Sequence, residues 1–363
     1  MAIDAQNKKT LPLAVLFKSL YSQAINPCFS DAFTLPTSDL WKQAENAQTR
    51  LDLHPLSNTG QKLKLNSQQS AGSASQLETF YKDYPVLDTV LLTVDGELSP
   101  TLIRRPAANE CVVVDWLTVT ISVDTFAQQI AGLSYEKMHE TVISELDEVL
   151  KSVLGLTIIK TQKNGRSYYE KSYDLVHFDL KKPDNGIDCG FVCIGGQRNT
   201  VMVTLNGHGC ALADYAWEQS FYNWLKNKTV RPKITRVDYA YDDLDGSLVN
   251  VDWADEQDTL GGFTSGGRPP SVEYRGDWKR PNGSGRSFYI GKRTSSKYCR
   301  FYEKGKQLGD TDSPWVRVEV EYKAKHYHLP LEAMLDASEY FLAAYPCFHV
   351  FDDQTKAKKF ELI

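Results

Sequence analysis

The segment from Arg268 to Lys306 concentrates the residue types that handle nucleic acid. It holds eleven basic residues, six Arg and five Lys, against three acidic ones. Seven aromatics are interleaved: Tyr274, Trp278, Phe288, Tyr289, Tyr298, Phe301 and Tyr302. Cations neutralise phosphates and exposed rings stack on unpaired bases, so this mixture is what a channel for single-stranded DNA requires. A solvated basic loop whose rings face the core has the same composition.

Three other segments set carboxylates in apolar runs: Val114–Thr120 carries Asp115, Arg236–Asp243 carries Asp238 and Asp242, and Arg317–Glu321 carries Glu319 and Glu321. Burying an ionised group in such a run is costly unless it is paired or binds a metal. The period of two puts Arg236, Asp238 and Asp242 on one strand face, and Arg317, Glu319 and Glu321 on another. Carboxylates converging from three strands suit a hard cation such as Mg2+ or Mn2+. The arginines beside them could instead neutralise them as structural ion pairs.

The same alternation groups Tyr298, Arg300, Tyr302 and Lys304 on one face. A tyrosine with a pKa near 10 needs a nearby cation or base to attack a phosphate at neutral pH. His326 and His328, two apart, could both face one metal ion, or form a solvated strand end. The glycines around His208, in Asn206–Cys210, fit either a phosphate-holding helix start or a tight turn. No Walker motif is present, which argues against ATP hydrolysis.

These residues need a scaffold, and the hydrophobic pattern supplies one. Strands are expected over Cys111–Val123, Leu156–Thr161, Ser167–Leu175, Asp188–Ile194, Asn199–Asn206, Ile234–Tyr241 and Trp315–Tyr322, with a hairpin from Arg286–Lys292 to Tyr298–Glu303. Turn signals lie at Lys163–Arg166 and Pro183–Gly186. Apolar spacing predicts helices over Tyr135–Val153, with Ser134 placed to cap it, over Ala211–Asn227, near Trp253 and over Leu329–Ala344. Strands come in runs with helices between the runs, so the expected class is α+β, a largely antiparallel sheet backed by helices, with an N-terminal helical and linker extension.

The expected organisation is an accessory region over 1–108, a catalytic domain over 109–345 and a C-terminal tail over 346–363. The first region carries a short helix candidate, Leu11–Tyr21, and a Ser/Gln-rich linker, Ser57–Gln76.

Composition sets limits. The 363 residues include 41 Lys+Arg and 46 Asp+Glu, a formal net charge of −5, so any nucleic-acid surface must be local. The 7 cysteines form no Cys-x-x-Cys pair, which suits reduced thiols in a cytoplasm. Neither a secretory signal nor an apolar run of about 18 residues is present, so no membrane span is expected.

Five segments, in this order, resemble the replication initiation factor (Rep_trans) family, and in particular its filamentous-phage members of the RstA type. They are 115–120, 206–210, 236–242, the pair 289–295 and 300–304, and 317–319, and the likeness spans about residues 111–325. The resemblance implies a rolling-circle initiator that nicks one strand of supercoiled origin DNA through a tyrosine and later rejoins it, leaving a 5′-phosphotyrosine link meanwhile. It assigns Tyr302 as nucleophile, and Arg300, Lys304 and Arg293 as stabilisers of the phosphorane; strand position leaves Tyr298, and then Tyr289, as other candidates. Asp115, Asp238 and Glu319 would hold Mg2+ or Mn2+ as Lewis acid. Lys292, Arg293, Lys297, Arg286 and Trp278 would contact single-stranded DNA. Host helicase, polymerase and a second copy of the chain are candidate partners in a host cytoplasm. The rival reading is a non-catalytic DNA-binding regulator on the same scaffold.

Overall fold

The computed structural model describes residues 84–178, 186–352 and 359–362. The helix expected at Leu11–Tyr21, the linker at Ser57–Gln76 and most of the turn at Pro183–Gly186 lie outside them. The class is α+β, as expected. Among the described residues an eleven-stranded sheet runs in the order β10-β11-β12-β13-β9-β3-β8-β7-β6-β4, with β5 also pairing β6, and every pairing is antiparallel. Its strands are β3 (Val113–Ser122), β4 (Thr157–Ile158), β5 (Lys163–Asn164), β6 (Lys171–Phe178), β7 (Gly186–Ile194), β8 (Thr200–Leu205), β9 (Lys233–Asp243), β10 (Val272–Arg275), β11 (Ser287–Ile290), β12 (Lys297–Glu303) and β13 (Val316–Lys323).

One face of this sheet is apolar because alternate residues are: Val237 and Tyr239 on β9, Val318 and Val320 on β13, Cys299 and Phe301 on β12. Helices close over it. In α1 (Tyr135–Leu154) the residues Val142, Ile143, Leu146, Leu150 and Leu154 form the buried stripe that the spacing predicted. Ser134 stands at its N-cap without a side-chain capping bond, and Gly155, at φ 67°, ends it in the left-handed region.

The helix expected over Ala211–Asn227 is two, α2 (Gly207–Leu212) and α3 (Trp217–Lys228), the second burying Trp217, Phe221 and Leu225. Next comes α4 (Val251–Thr259). The closing helix expected over Leu329–Ala344 is a 3-10 turn, Leu331–Met334, followed by α5 (Ala337–Leu342). Pro330 stands ahead of the first turn, and the non-helical Asp336 divides the two pieces.

Two findings extend the sequence reading at its ends. Within 1–108, β1 (Val86–Val94) and β2 (Glu97–Arg105) form a hairpin that no expected element covered. Its Leu92 and Ile103 pack on Trp315. At the other end, Phe348, Phe351 and Phe360, set apart as tail, join the core. A two-residue pair, β14 (Tyr327–His328) with β15 (Glu361–Leu362), ties that end down. No described helix is long and apolar enough to cross a membrane.

Candidate active site

β12, β13, β9 and β3 lie side by side, and the face away from the helices carries their polar residues. Strand register sets these in three cross-strand rows. Tyr302, Arg317 and Asp242 form the first; Arg300, Glu319 and Ala240 the second; Tyr298, Glu321, Asp238 and Trp116 the third.

Asp115 reaches the same face through a bulge. Val114 opposes Tyr239 and Trp116 opposes Asp238, so Asp115 is the extra residue. A bulge re-aims a side chain. Here it brings Asp115 to Arg317, with Nη1 to Oδ1 at 3.1 Å.

Each carboxylate is matched to a cation. Arg317 grips Asp242 through Nε at 2.7 Å and Nη2 at 2.8 Å. Trp315 Nε1 donates to the same aspartate at 2.7 Å. Arg236 donates from Nε to Asp238 at 2.8 Å, and its Nη2 stands 2.8 Å from Glu321. Arg300 pairs with Glu319 and lies 3.8 Å from Asp238. The Tyr302 hydroxyl donates to the same Glu319, and Lys304 Nζ stands 5.6 Å from the Tyr302 ring centroid.

Removal from water dominates the proton affinities. Burial, reinforced by Glu319, pushes the Tyr302 hydroxyl well above the ordinary tyrosine range. Burial pushes Tyr298 up to about 12. It also pushes Asp238 up to about 7, with Arg236 pulling the other way. Asp115 is raised by burial against the pull of Arg317, and Lys304 is lowered by burial and by Arg317.

Of the residues expected to act together, Asp115, Asp238, Glu319, Tyr302, Tyr298, Arg300 and Lys304 share this neighbourhood. The first three have the oxygen chemistry of a hard-cation site, yet each is already held by a guanidinium. Among the described residues no group of three His, Cys, Asp or Glu is placed to hold a metal ion. The arrangement does not fit a three-carboxylate cage, because Arg317, Arg236 and Arg300 occupy the positions between the acids. The ion-pair alternative read from the sequence describes the observed contacts.

The residues expected to line a DNA channel divide. Lys292 and Arg293 are exposed on the β11–β12 turn. Lys297 sits on the helix-packed face of β12, where its Nζ donates to the Ala344 carbonyl and stands 4.0 Å from the Tyr345 ring centroid. Its odd position in the strand turns it away from Arg300 and Tyr302. Arg286 is held by Asp252 at 2.8 and 2.9 Å, and its guanidinium lies 4.9 Å from the Trp278 ring centroid. Trp278 also packs on Phe288. Both residues are half-buried and hold one another in place beside Phe288.

His326 and His328 are exposed at a strand end. His208 is exposed in the first turn of α2, which Asn206 caps by accepting from the Gly209 amide at 2.9 Å. The sequence reading passed over Trp116 as a functional residue. Its signal was the position next to Asp115 in a strand whose remaining large residues are aliphatic.

Residues 232–360 match the replication initiation factor family (Rep_trans). The match runs from β9 to the end of the fold and includes Asp238, Tyr302 and Glu319; Asp115 on β3 precedes it. A solved structure of a rolling circle replication initiator protein from Geobacillus stearothermophilus is similar to this chain at 22% identity and a TM-score of 0.41, covering 64% of this chain and 84% of that one. No curated protein matches.

Proposed function

We propose that this chain, matched over residues 232–360 to the replication initiation factor family, is a rolling-circle initiator that nicks origin DNA with Tyr302. The observation that carries the reading is the Tyr302 hydroxyl on the polar sheet face, hydrogen-bonded to Glu319 among Arg300, Arg317 and Lys304. In the proposed reaction the Tyr302 oxygen gives up its proton as it bonds to phosphorus, and the 3′-oxygen leaves and takes up a proton, giving a 5′-phosphotyrosine and a free 3′-hydroxyl. Arginine and lysine side chains around the tyrosine offset the charge that builds on the phosphate oxygens. Reversal by a second strand transfer rejoins the DNA.

A Mg2+ or Mn2+ ion would supply Lewis-acid charge. The guanidinium-bound carboxylates do not form a ready cage for it, so no step is assigned to the ion. The kinship with RstA-type phage members, a host cytoplasm as setting, and host helicase, polymerase or a second copy as partners belong to this proposal as well.

One observation favours the rival, a non-catalytic DNA-binding regulator: the proton of Tyr302 is held firmly by burial and Glu319. Incubation with supercoiled origin DNA and Mg2+ or Mn2+ separates the two. The expected result is a covalent protein–DNA adduct that Tyr302→Phe lowers by at least ~100-fold and Tyr298→Phe leaves in place. No adduct under any condition supports the regulator. An adduct undiminished in Tyr302→Phe removes Tyr302 from the mechanism, and its persistence in excess chelator counts against the metal.

A further inference from the structure

The charged centre of the polar face is flanked by aromatic rings on both sides. Tyr289 on β11 opposes Arg300 in the register, and Trp116 on β3 opposes Asp238. Both are partly exposed, unlike the fully buried Phe288 and Phe301 that alternate with the polar-face residues. Between them lie β12, β13 and β9, so the rings are four strand spacings apart, about 19 Å at ~4.8 Å each.

Trp116 is fixed before any ligand arrives. Its Nε1 donates to Thr118 Oγ1 at 3.1 Å, and that hydroxyl lies 3.2 Å from the hydroxyl of Thr204. The Arg236 guanidinium covers the ring at 4.3 Å from its centroid, and Asp238 and Glu321 anchor that arginine in turn. A ring held in this way loses little freedom when a base stacks on it. Tyr289 is set edge-on to Tyr298, with ring centroids 5.7 Å apart.

We infer that single-stranded DNA crosses the sheet face obliquely to the strands, with one unpaired base stacked on Trp116, another on Tyr289, the backbone over Arg300, Glu319 and Asp238 between them, and Tyr302 one row to its side. At roughly 3.4 Å per stacked nucleotide the span holds about five or six nucleotides. The inference rests on the DNA-binding part of the function proposed above and is independent of the nicking chemistry.

The test uses the full chain with Tyr302→Phe, so that no cleavage intervenes, and a ladder of oligothymidylates from four to sixteen nucleotides. Affinity should rise steeply up to about six nucleotides and then flatten. Trp116→Ala and Tyr289→Ala should each weaken the longer oligonucleotides by roughly 5- to 150-fold, the range for loss of one stacked base. Each should also move the plateau to shorter lengths, while Trp116→Phe retains most of the affinity. Quenching of tryptophan fluorescence by the oligonucleotide should shrink in Trp116→Phe, a readout that a merely structural ring would not move.

Unchanged affinity across the ladder in both alanine variants, with melting temperatures showing them folded, overturns the inference. So does undiminished quenching in Trp116→Phe. If the rings matter but no covalent adduct forms with wild type, the stacking path stands and the nicking reading fails.

Discussion

At the residue scale, one guanidinium serves two acids, because Arg317 grips Asp242 and also reaches Asp115. Alternation correctly grouped Tyr298, Arg300, Tyr302 and Lys304, and the same rule turns Lys297 inward. Which guanidinium meets which carboxylate depends on register between strands far apart in the chain, so Arg317 holding both Asp242 and Asp115 could not be foreseen. That triad is nearly buried, with side-chain exposures of 11% for both Arg317 and Asp242. Arg317→Met should lower the unfolding free energy by about 3–5 kcal/mol, because it strands two largely buried carboxylates, and Arg317→Met with both Asp242→Leu and Asp115→Leu should recover much of that loss. Denaturant titration of the two variants measures both effects.

Lys297 offers a test by pH. Burial lowers its pKa to about 8, below the roughly 10.4 of an unfolded lysine. Between these values the unfolded chain binds more protons than the folded one, so stability rises with pH across that window. The melting temperature of wild type relative to Lys297→Met should climb from pH ~8 to ~10.4. Affinity for oligothymidylate should stay within about twofold, since the ammonium does not face the proposed DNA path.

At the element scale, the long periodic segments were legible and the short or interrupted ones were not. α1 and β9 matched their expected spans within two residues. The β1–β2 hairpin was missed although Asp95-Gly96 between two apolar runs is the strongest local hairpin signal. The Asp115 bulge was invisible because two residues against one is a property of a strand pair, and no single strand carries it.

Gly190 marks a similar irregularity, where β6 and β7 shift register between Leu175 and Val176. Its φ is +136°, and a Cβ there would stand 1.9 Å from the Thr204 carbonyl oxygen. Gly190→Ala should therefore destabilise by more than about 2 kcal/mol, seen as a lower denaturation midpoint at unchanged slope.

At the scale of the whole molecule, a net charge of −5 coexists with a local basic surface. Arg268, Lys279, Arg280, Lys292 and Arg293 are exposed, whereas Arg286, Lys297 and Arg300 are committed to internal partners. The basic surplus counted in the sequence thus overstates what is available to phosphates. For a single strand each phosphate contact steepens the salt dependence by about 0.7. Replacing Lys292 and Arg293 by Gln should flatten the slope of log affinity against log salt by about 1.4, measured by anisotropy at several salt concentrations. The contact between Arg317 and Asp115 joins residues 202 apart in the sequence. Closing so long a loop is slow and comes late in folding. During synthesis, which runs from the N-terminus at roughly 5–20 residues per second, a growing chain lacks β13 until the 202 residues from Asp115 to Arg317 have been added. It cannot assemble the tyrosine's surroundings before then, so the timing of translation itself keeps incomplete copies without the face on which the proposed DNA path depends.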